Sequence, residues 1–280
     1  FIIGVVGHRD LHPGSTDAVQ KIVREWFKEF RKNFPFVPLV LASGLAEGAD
    51  QLVAGVAIEE GVELWAVLPT AIPEYEKDFT NSDVLDNFRR LLELSTKVVN
   101  SSVLAGVDEN CSSRPMIYKY LSDQLCGLSH VLFAVWDGGV NQLVGGTSEV
   151  VTAFTKGKYF GANINLISKP SCGDVFHLNA PREGSDCRSV SSSWIYANPF
   201  DRDATSVAHK KFLSNEIFNA LTLLNSYFSR VQEVAISSTT SNLPTYLLPA
   251  SFDWSSDVLL GRLAQWFFVA EGVSGRFVTM

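Results

Sequence analysis

Three times in its first hundred residues the chain repeats one pattern: a short apolar run, a turn of small or polar residues, then a segment with helical periodicity. Phe1-Ile2-Ile3-Gly4-Val5-Val6 ends in Gly7-His8-Arg9-Asp10 and leads to residues 18–34, where Val19, Ile22, Val23, Trp26, Phe27 and Phe30 share a face. The apolar run 36–42 ends in Ser43-Gly44-Leu45-Ala46-Glu47-Gly48-Ala49-Asp50 and leads to a helical pattern over 51–58. Residues 63–68 form a third run, stopped by Pro69-Thr70. Such alternation predicts an α/β fold: a Rossmann-like parallel sheet with helices on both faces. In that architecture ligands bind at the carboxyl ends of the strands. The turns at Gly7, Ser43 and Pro69 should therefore converge.

The octapeptide 43–50 is the most constrained of the three turns. Gly44 and Gly48 permit close backbone approach, and the helix that follows begins with unpaired N–H groups and a partial positive charge. A phosphate or carboxylate suits that geometry. A well-capped strand-to-helix connection fits the same spacing.

Further along, residues 71–79 carry two prolines and should fold over the crevice. The pattern predicts a helix over 84–94 bearing Arg89-Arg90, a short strand at 97–99, a loop over 101–114 and a helix over 115–127 with Pro115 in its first turn. A strand at 130–135 closes in Trp136-Asp137-Gly138-Gly139. Gly145-Gly146-Thr147-Ser148-Glu149 is a second glycine turn opening a helix, and residues 162–167 read as the last strand. Residues 171–205 are rich in Ser, Asp, Pro and Gly and read as a linker or irregular loop. Two helical stretches, 207–234 and 256–273, follow. The expected organisation is a Rossmann-like domain over 1–170, the linker over 171–205 and a helical C-terminal region over 206–280.

Composition narrows the class of partner. An apolar fraction of 46% and a charged fraction of 19% describe a globular chain. The net charge of -7, with no long basic run, argues against a duplex nucleic-acid partner. Cys111, Cys126, Cys172 and Cys187 form no C-x-x-C pair, and His12, His130, His177 and His209 form no metal pattern, so neither metal nor cofactor is expected. Read as free thiols, the four cysteines point to a reducing, cytoplasmic setting; their spacing leaves disulfide pairing open. No apolar run approaches the roughly 18 residues of a membrane span. The start in mid-strand at Phe1 leads us to expect further chain upstream.

In order, Gly4-Val5-Val6-Gly7-His8-Arg9, Ser43-Gly44-Leu45-Ala46-Glu47-Gly48-Ala49-Asp50 and Ala66-Val67-Leu68-Pro69 through Tyr75 resemble the SLOG superfamily, named for the DNA-processing protein A and Lonely Guy families. Trp136-Asp137-Gly138 and Gly145-Gly146-Thr147-Ser148-Glu149-Val150 resemble the stand-alone and membrane-linked SLOG domains of bacteria. The resemblance covers about residues 1–169. It implies a Rossmann-like domain that binds a nucleotide-derived small molecule, as a sensor within a larger bacterial protein that forms homo-oligomers. By position, Gly7, His8 and Arg9 would line the first loop. Ser43, Gly44, Glu47 and Gly48 would approach the ligand from the second, with Asp50 on a ligand hydroxyl or at the helix start. Pro69 and Tyr75 would border the site, and Gly145, Gly146 and Thr147 would hold a phosphate.

One departure bears on chemistry. Lonely Guy phosphoribohydrolases carry P-G-G-x-G-T-x-x-E, and aligning its G-T on Gly146-Thr147 places Val150 at the catalytic glutamate. Glu149 stands one residue away, a rotation of about 100° on a helix. Hydrolysis of a nucleoside monophosphate, with Glu149 and Arg89 or Arg90 assisting, is the first alternative. Single-stranded DNA binding is the second. Leu260 through Glu271 resemble the amphipathic helix before the transmembrane helices of some SLOG proteins, implying a membrane link beyond Met280; a simple packing helix fits equally.

Several residues keep two readings. Arg9 suits two-pronged phosphate binding or an ion pair with Asp10 or Asp50. His8 suits a ligand contact or a bond to a neighbouring loop. Tyr75 could stack on a base or pack within its own domain.

Overall fold

The computed structural model describes residues 1–104, 113–139, 144–159, 172–185, 189–197, 213 and 215–237. In chain order the elements are β1 (Ile2–Gly7), α1 (Thr16–Asn33), β2 (Val40–Ser43), α2 (Ala49–Glu59), β3 (Glu63–Leu68), the single turn α3 (Ile72–Tyr75) and α4 (Ser82–Glu93). They continue with β4 (Lys97–Asn100), the short α5 (Ser101–Leu104), α6 (Arg114–Leu128), β5 (Val131–Trp136), α7 (Thr147–Lys156), β6 (Asp174–Asn179), β7 (Ser191–Ile195) and α8 (Asn215–Ser237).

The strands form one seven-stranded sheet in the order β4-β3-β2-β1-β5-β6-β7. Every pairing is parallel except β6 with β7. Strands β1, β2 and β5 are buried on both faces, as near-continuous apolar runs must be in a covered parallel sheet. Phe133 of β5 meets Trp26 and Phe27 of α1, at ring-centroid distances of 5.0 and 6.1 Å. On the face formed by Gly7, α2 lies against β1, and α1 is tied to the end of α2 by Arg24 with Glu59 and Glu60. Helices α6 and α7 cover the opposite face. The α/β Rossmann-like architecture read from the alternation is the one observed.

Two expectations change. Within the stretch read as a linker, residues 174–179 and 191–195 are β6 and β7, hydrogen-bonded into the sheet. Val175, Phe176 and Leu178 supply the apolar content that a Ser- and Gly-rich average concealed, and all three are buried. Second, β2 begins at Val40, not at residue 36, because Phe36 and Val37 belong to the turn that ends α1. The expected strand at 162–167 and the expected helix at 256–273 lie outside the described residues.

Among the described residues, Phe1, 29–38, 213 and α8 group as one compact unit, and the sheet with its covering helices as another. In the first, Phe34 meets Phe30 and Phe218 at 5.3 and 5.1 Å, and the Asn225 side chain accepts the Phe36 N–H at 2.9 Å. Ile217 and Leu221, one turn apart on α8, are buried. No helix among the described residues is long and apolar enough to cross a membrane.

Candidate functional site

The order of the sheet sets where the site lies. From the edge strand β4 the chain returns to place β5 beside β1, so the direction of winding reverses between β1 and β5. A crevice opens at such a switch point, outside the carboxyl ends of the strands. Because β1 to β6 are parallel, six connections reach this one edge: His8–Asp10, 44–48, Pro69-Thr70, Ser101-Ser102, 137–139 and 180–182.

These connections are bonded to one another. The Ala49 N–H donates to the His8 carbonyl at 2.9 Å, which places the start of α2 directly on the turn after β1. Gly48 makes this possible. Its φ of 81° is left-handed, and a Cβ there would lie 2.3 Å from the Arg9 carbonyl oxygen. Gly7 serves the same contact from the strand side, since a Cβ would lie 2.4 Å from that of Ala49. Both glycines thus work in packing, and neither needs a ligand to account for it. The Ser101 and Ser102 hydroxyls donate to the Pro69 carbonyl, which is likewise buried.

Each glycine turn faces an acidic side chain from the helix that it opens. Asp50, in the first turn of α2, is buried beside the turn at Gly44, where the backbone N–H groups of Gly44 and Ala46 favour its charged form. Burial pushes its pKa up to about 7, against those N–H groups and the nearby Arg9. The Ser43 hydroxyl accepts the Leu45 N–H at 3.0 Å, holding Leu45 at a left-handed φ of 53°. In the other turn, Glu149 Oε2 accepts the Gly145 N–H at 2.6 Å, and its Oε1 lies 3.7 Å from Lys119 Nζ. An acidic side chain from each helix's own first turn thus stands at the backbone donors that the sequence offered to a phosphate: Glu149 is bonded to the Gly145 N–H, and Asp50 lies beside Gly44. Gly146 and Thr147, at the start of α7, are half-exposed.

Tyr75 is fully buried, its ring against Phe79, Phe88 and Tyr118 and its hydroxyl donating to the Gly44 carbonyl at 3.0 Å. It has no face to offer a base, because the ring is wholly buried among those aromatic neighbours. Arg89 is engaged by Glu76 at 2.7 Å and by Asp86, and Arg90 bonds Asn87. Neither joins Glu149 among the described residues.

On the β5 and β6 side of the switch point, His8 is buried between Asp137 and Arg182. A guanidinium can only donate, and Arg182 faces both ring nitrogens of His8, its Nη2 2.9 Å from Nδ1 and its Nε 3.2 Å from Nε2; Nε2 also accepts the Asp137 backbone N–H at 3.1 Å and lies 3.1 Å from Asp137 Oδ1. Burial holds the imidazole below its ordinary pKa and outweighs the pull of Asp137. Arg182 also reaches Asp10 and Asp137 at 3.4 and 3.5 Å, and the backbone of 181–183 is bonded to Asp10 and His12. His8 is therefore a neutral tie between the turns after β1, β5 and β6.

Arg9 is exposed and stands apart. Its Nη2 donates to the Tyr118 hydroxyl at 2.9 Å. Arg114 is paired with Asp78 and Arg182 with Asp10 and Asp137, whereas no carboxylate among the described residues pairs with Arg9. Glu47 beside it is half-exposed. Tyr118, Asp78 and Arg182 escaped sequence reasoning. The Arg114 and Tyr118 spacing of four, which puts both on one helical face, was the one legible signal. Among the described residues no cluster of side chains could hold a metal ion.

No family model matches the chain, and no curated protein matches it. Among solved structures it is similar to the X-ray structure of DNA processing protein A (DprA) from Streptococcus pneumoniae, with 16% identity, a TM-score of 0.34 and a match spanning 54% of this chain and 55%, about half, of that one.

Proposed function

We propose that the crevice at the switch point binds a phosphate-bearing, nucleotide-derived small molecule, with Arg9 as its principal anion contact and Glu47, Gly146 and Thr147 around it. The observation that carries this reading is the exposed Arg9 guanidinium, set at the carboxyl end of the central strand and without an acidic partner among the described residues. Asp50 lies near Arg9 without forming an ion pair, so among the described residues of this chain of net charge -7 the guanidinium is left to an anion from outside. The Gly145 N–H is taken by Glu149 and Asp50 is buried beside Gly44, so the side chain of Arg9, not the glycine turns, bears the phosphate. A sensing role and assembly into homo-oligomers belong to the same proposal.

The test begins with mass spectrometry of small molecules released from the purified protein. Calorimetry with those compounds, and with nucleoside mono- and diphosphates and dinucleotides, follows. Arg9→Ala should weaken binding by about 1.5–3 kcal/mol, roughly ten- to a hundredfold. Arg9→Lys should restore only part of it, since an ammonium cannot make a two-pronged contact. A phosphate compound bound equally well by Arg9→Ala, or none bound at all, would refute the reading.

A further inference from the structure

We propose that Tyr118 and Asp78 are positioning residues for Arg9: they hold one edge of its guanidinium through a hydroxyl relay and leave the remaining N–H groups to the ligand. The proposal deepens the binding reading above and rests on it for the ligand. Four side chains from three elements form the relay. Arg9 follows β1, Arg114 and Tyr118 lie one turn apart on α6, and Asp78 ends the turn Glu76–Asp78. A guanidinium only donates and a carboxylate only accepts. The hydroxyl between them must therefore accept from Arg9 Nη2, at 2.9 Å, and donate to Asp78 Oδ2. The other oxygen of Asp78 accepts from Arg114 Nη2, which also donates to the Glu74 carbonyl at 3.1 Å. Burial, with the Asp78 bond, pushes the Tyr118 pKa up to about 12, so the hydroxyl keeps the proton that the relay requires.

The arrangement has a consequence for affinity. A direct, two-pronged pair between Asp78 and Arg9 would occupy two of the five guanidinium donors and neutralise the charge. Placing a neutral hydroxyl between them fixes the orientation with one donor. It also lets the Asp78 charge polarise the hydroxyl that Arg9 touches, without an ion pair that a ligand would have to break. Less of the side chain's rotational freedom then remains to be lost on binding.

Side-chain nitrogen NMR reads rotation of the Arg9 guanidinium whether or not a ligand is present. Tyr118→Phe should speed that rotation about fivefold, the rate equivalent of one ordinary hydrogen bond. Asp78→Asn should speed it by less, since an amide still accepts from the hydroxyl. Sulfate, a tetrahedral anion whose charge is constant near neutral pH, is the binding probe. Tyr118→Phe should weaken it about three- to tenfold and should have no further effect in an Arg9→Ala background. A tie that merely joined α6 to the turn Glu76–Asp78 would lower thermal stability without this coupling. Unchanged Arg9 rotation in Tyr118→Phe, or equal weakening of sulfate in both backgrounds, would overturn the proposal. Were Arg9 freed in Tyr118→Phe while the wild-type protein bound neither sulfate nor any nucleotide, the relay would stand and the binding reading would fall.

Discussion

Folding removes the Asp50 carboxyl from water and buries it beside the turn of Gly44 and Ala46. Burial dominates, so the group titrates near pH 7 when folded and near 4 when unfolded. Between those values the native protein holds a proton that the unfolded chain has released. Stability from this residue is complete below about pH 4 and is lost as pH rises toward 7. His8 and His177 act with the opposite sign, since burial lowers both and they cost stability as pH falls below their ordinary value. A comparison with Asp50→Asn isolates the carboxylate, because the histidines are common to both proteins. In urea unfolding, the wild type should lose about 2–3 kcal/mol relative to Asp50→Asn between pH 5 and pH 8. Parallel pH profiles for the two proteins would show that Asp50 keeps an ordinary pKa.

Helix α2 illustrates how one residue type can carry opposite obligations within a single element. Gly48, at its start, abuts the His8 and Arg9 carbonyls at a left-handed φ, whereas Gly55, at its middle, has nothing within 4 Å of where a Cβ would stand. Gly55→Ala should therefore raise stability by about 0.5–1 kcal/mol, by reducing the freedom of the unfolded chain. Gly48→Ala combines strain with a backbone clash and should cost roughly 3 kcal/mol or prevent folding. Thermal midpoints moving in the same direction for both would contradict this account. The strands β1, β2, β3 and β5 and the helices α1, α2, α4, α6 and α7 were legible because each keeps one hydrophobic period over its length. Strand β7 was not: it reads Ser-Ser-Ser-Trp-Ile, and only its antiparallel place beside β6 makes it a strand. The site divides in the same way. Arg9 was legible from its position at a strand end. Tyr118 and Arg182 were not, since they meet their partners across 109 and 174 residues, and such contacts leave no local pattern.

At the scale of the whole molecule, the question is where the sheet can safely end. Strand β5 is buried along its whole length and pairs with β6 at six positions. Val175, Phe176 and Leu178 of β6 are buried, each worth about 1.5–3 kcal/mol, so together roughly 5–9 kcal/mol. That is comparable with the 5–15 kcal/mol that holds an ordinary domain together. A chain cut after residue 169 loses β6 and β7, and it also bares the hydrogen-bonding edge of β5, a flat apolar strand that invites pairing with other molecules. A chain cut after residue 203 keeps both strands, together with the bond from the Ala197 N–H to Asp174 at 3.0 Å. Among the described residues it forfeits Leu213 and α8, with the contacts of α8 to Phe34 and Phe36. The shorter piece should aggregate and melt without a cooperative transition. The longer one should unfold in a single transition below the midpoint of the full chain. Circular dichroism melts with sedimentation analysis would distinguish them. Equally cooperative unfolding of both pieces would mean that five parallel strands suffice and that β6 and β7 are additions to a sheet already complete.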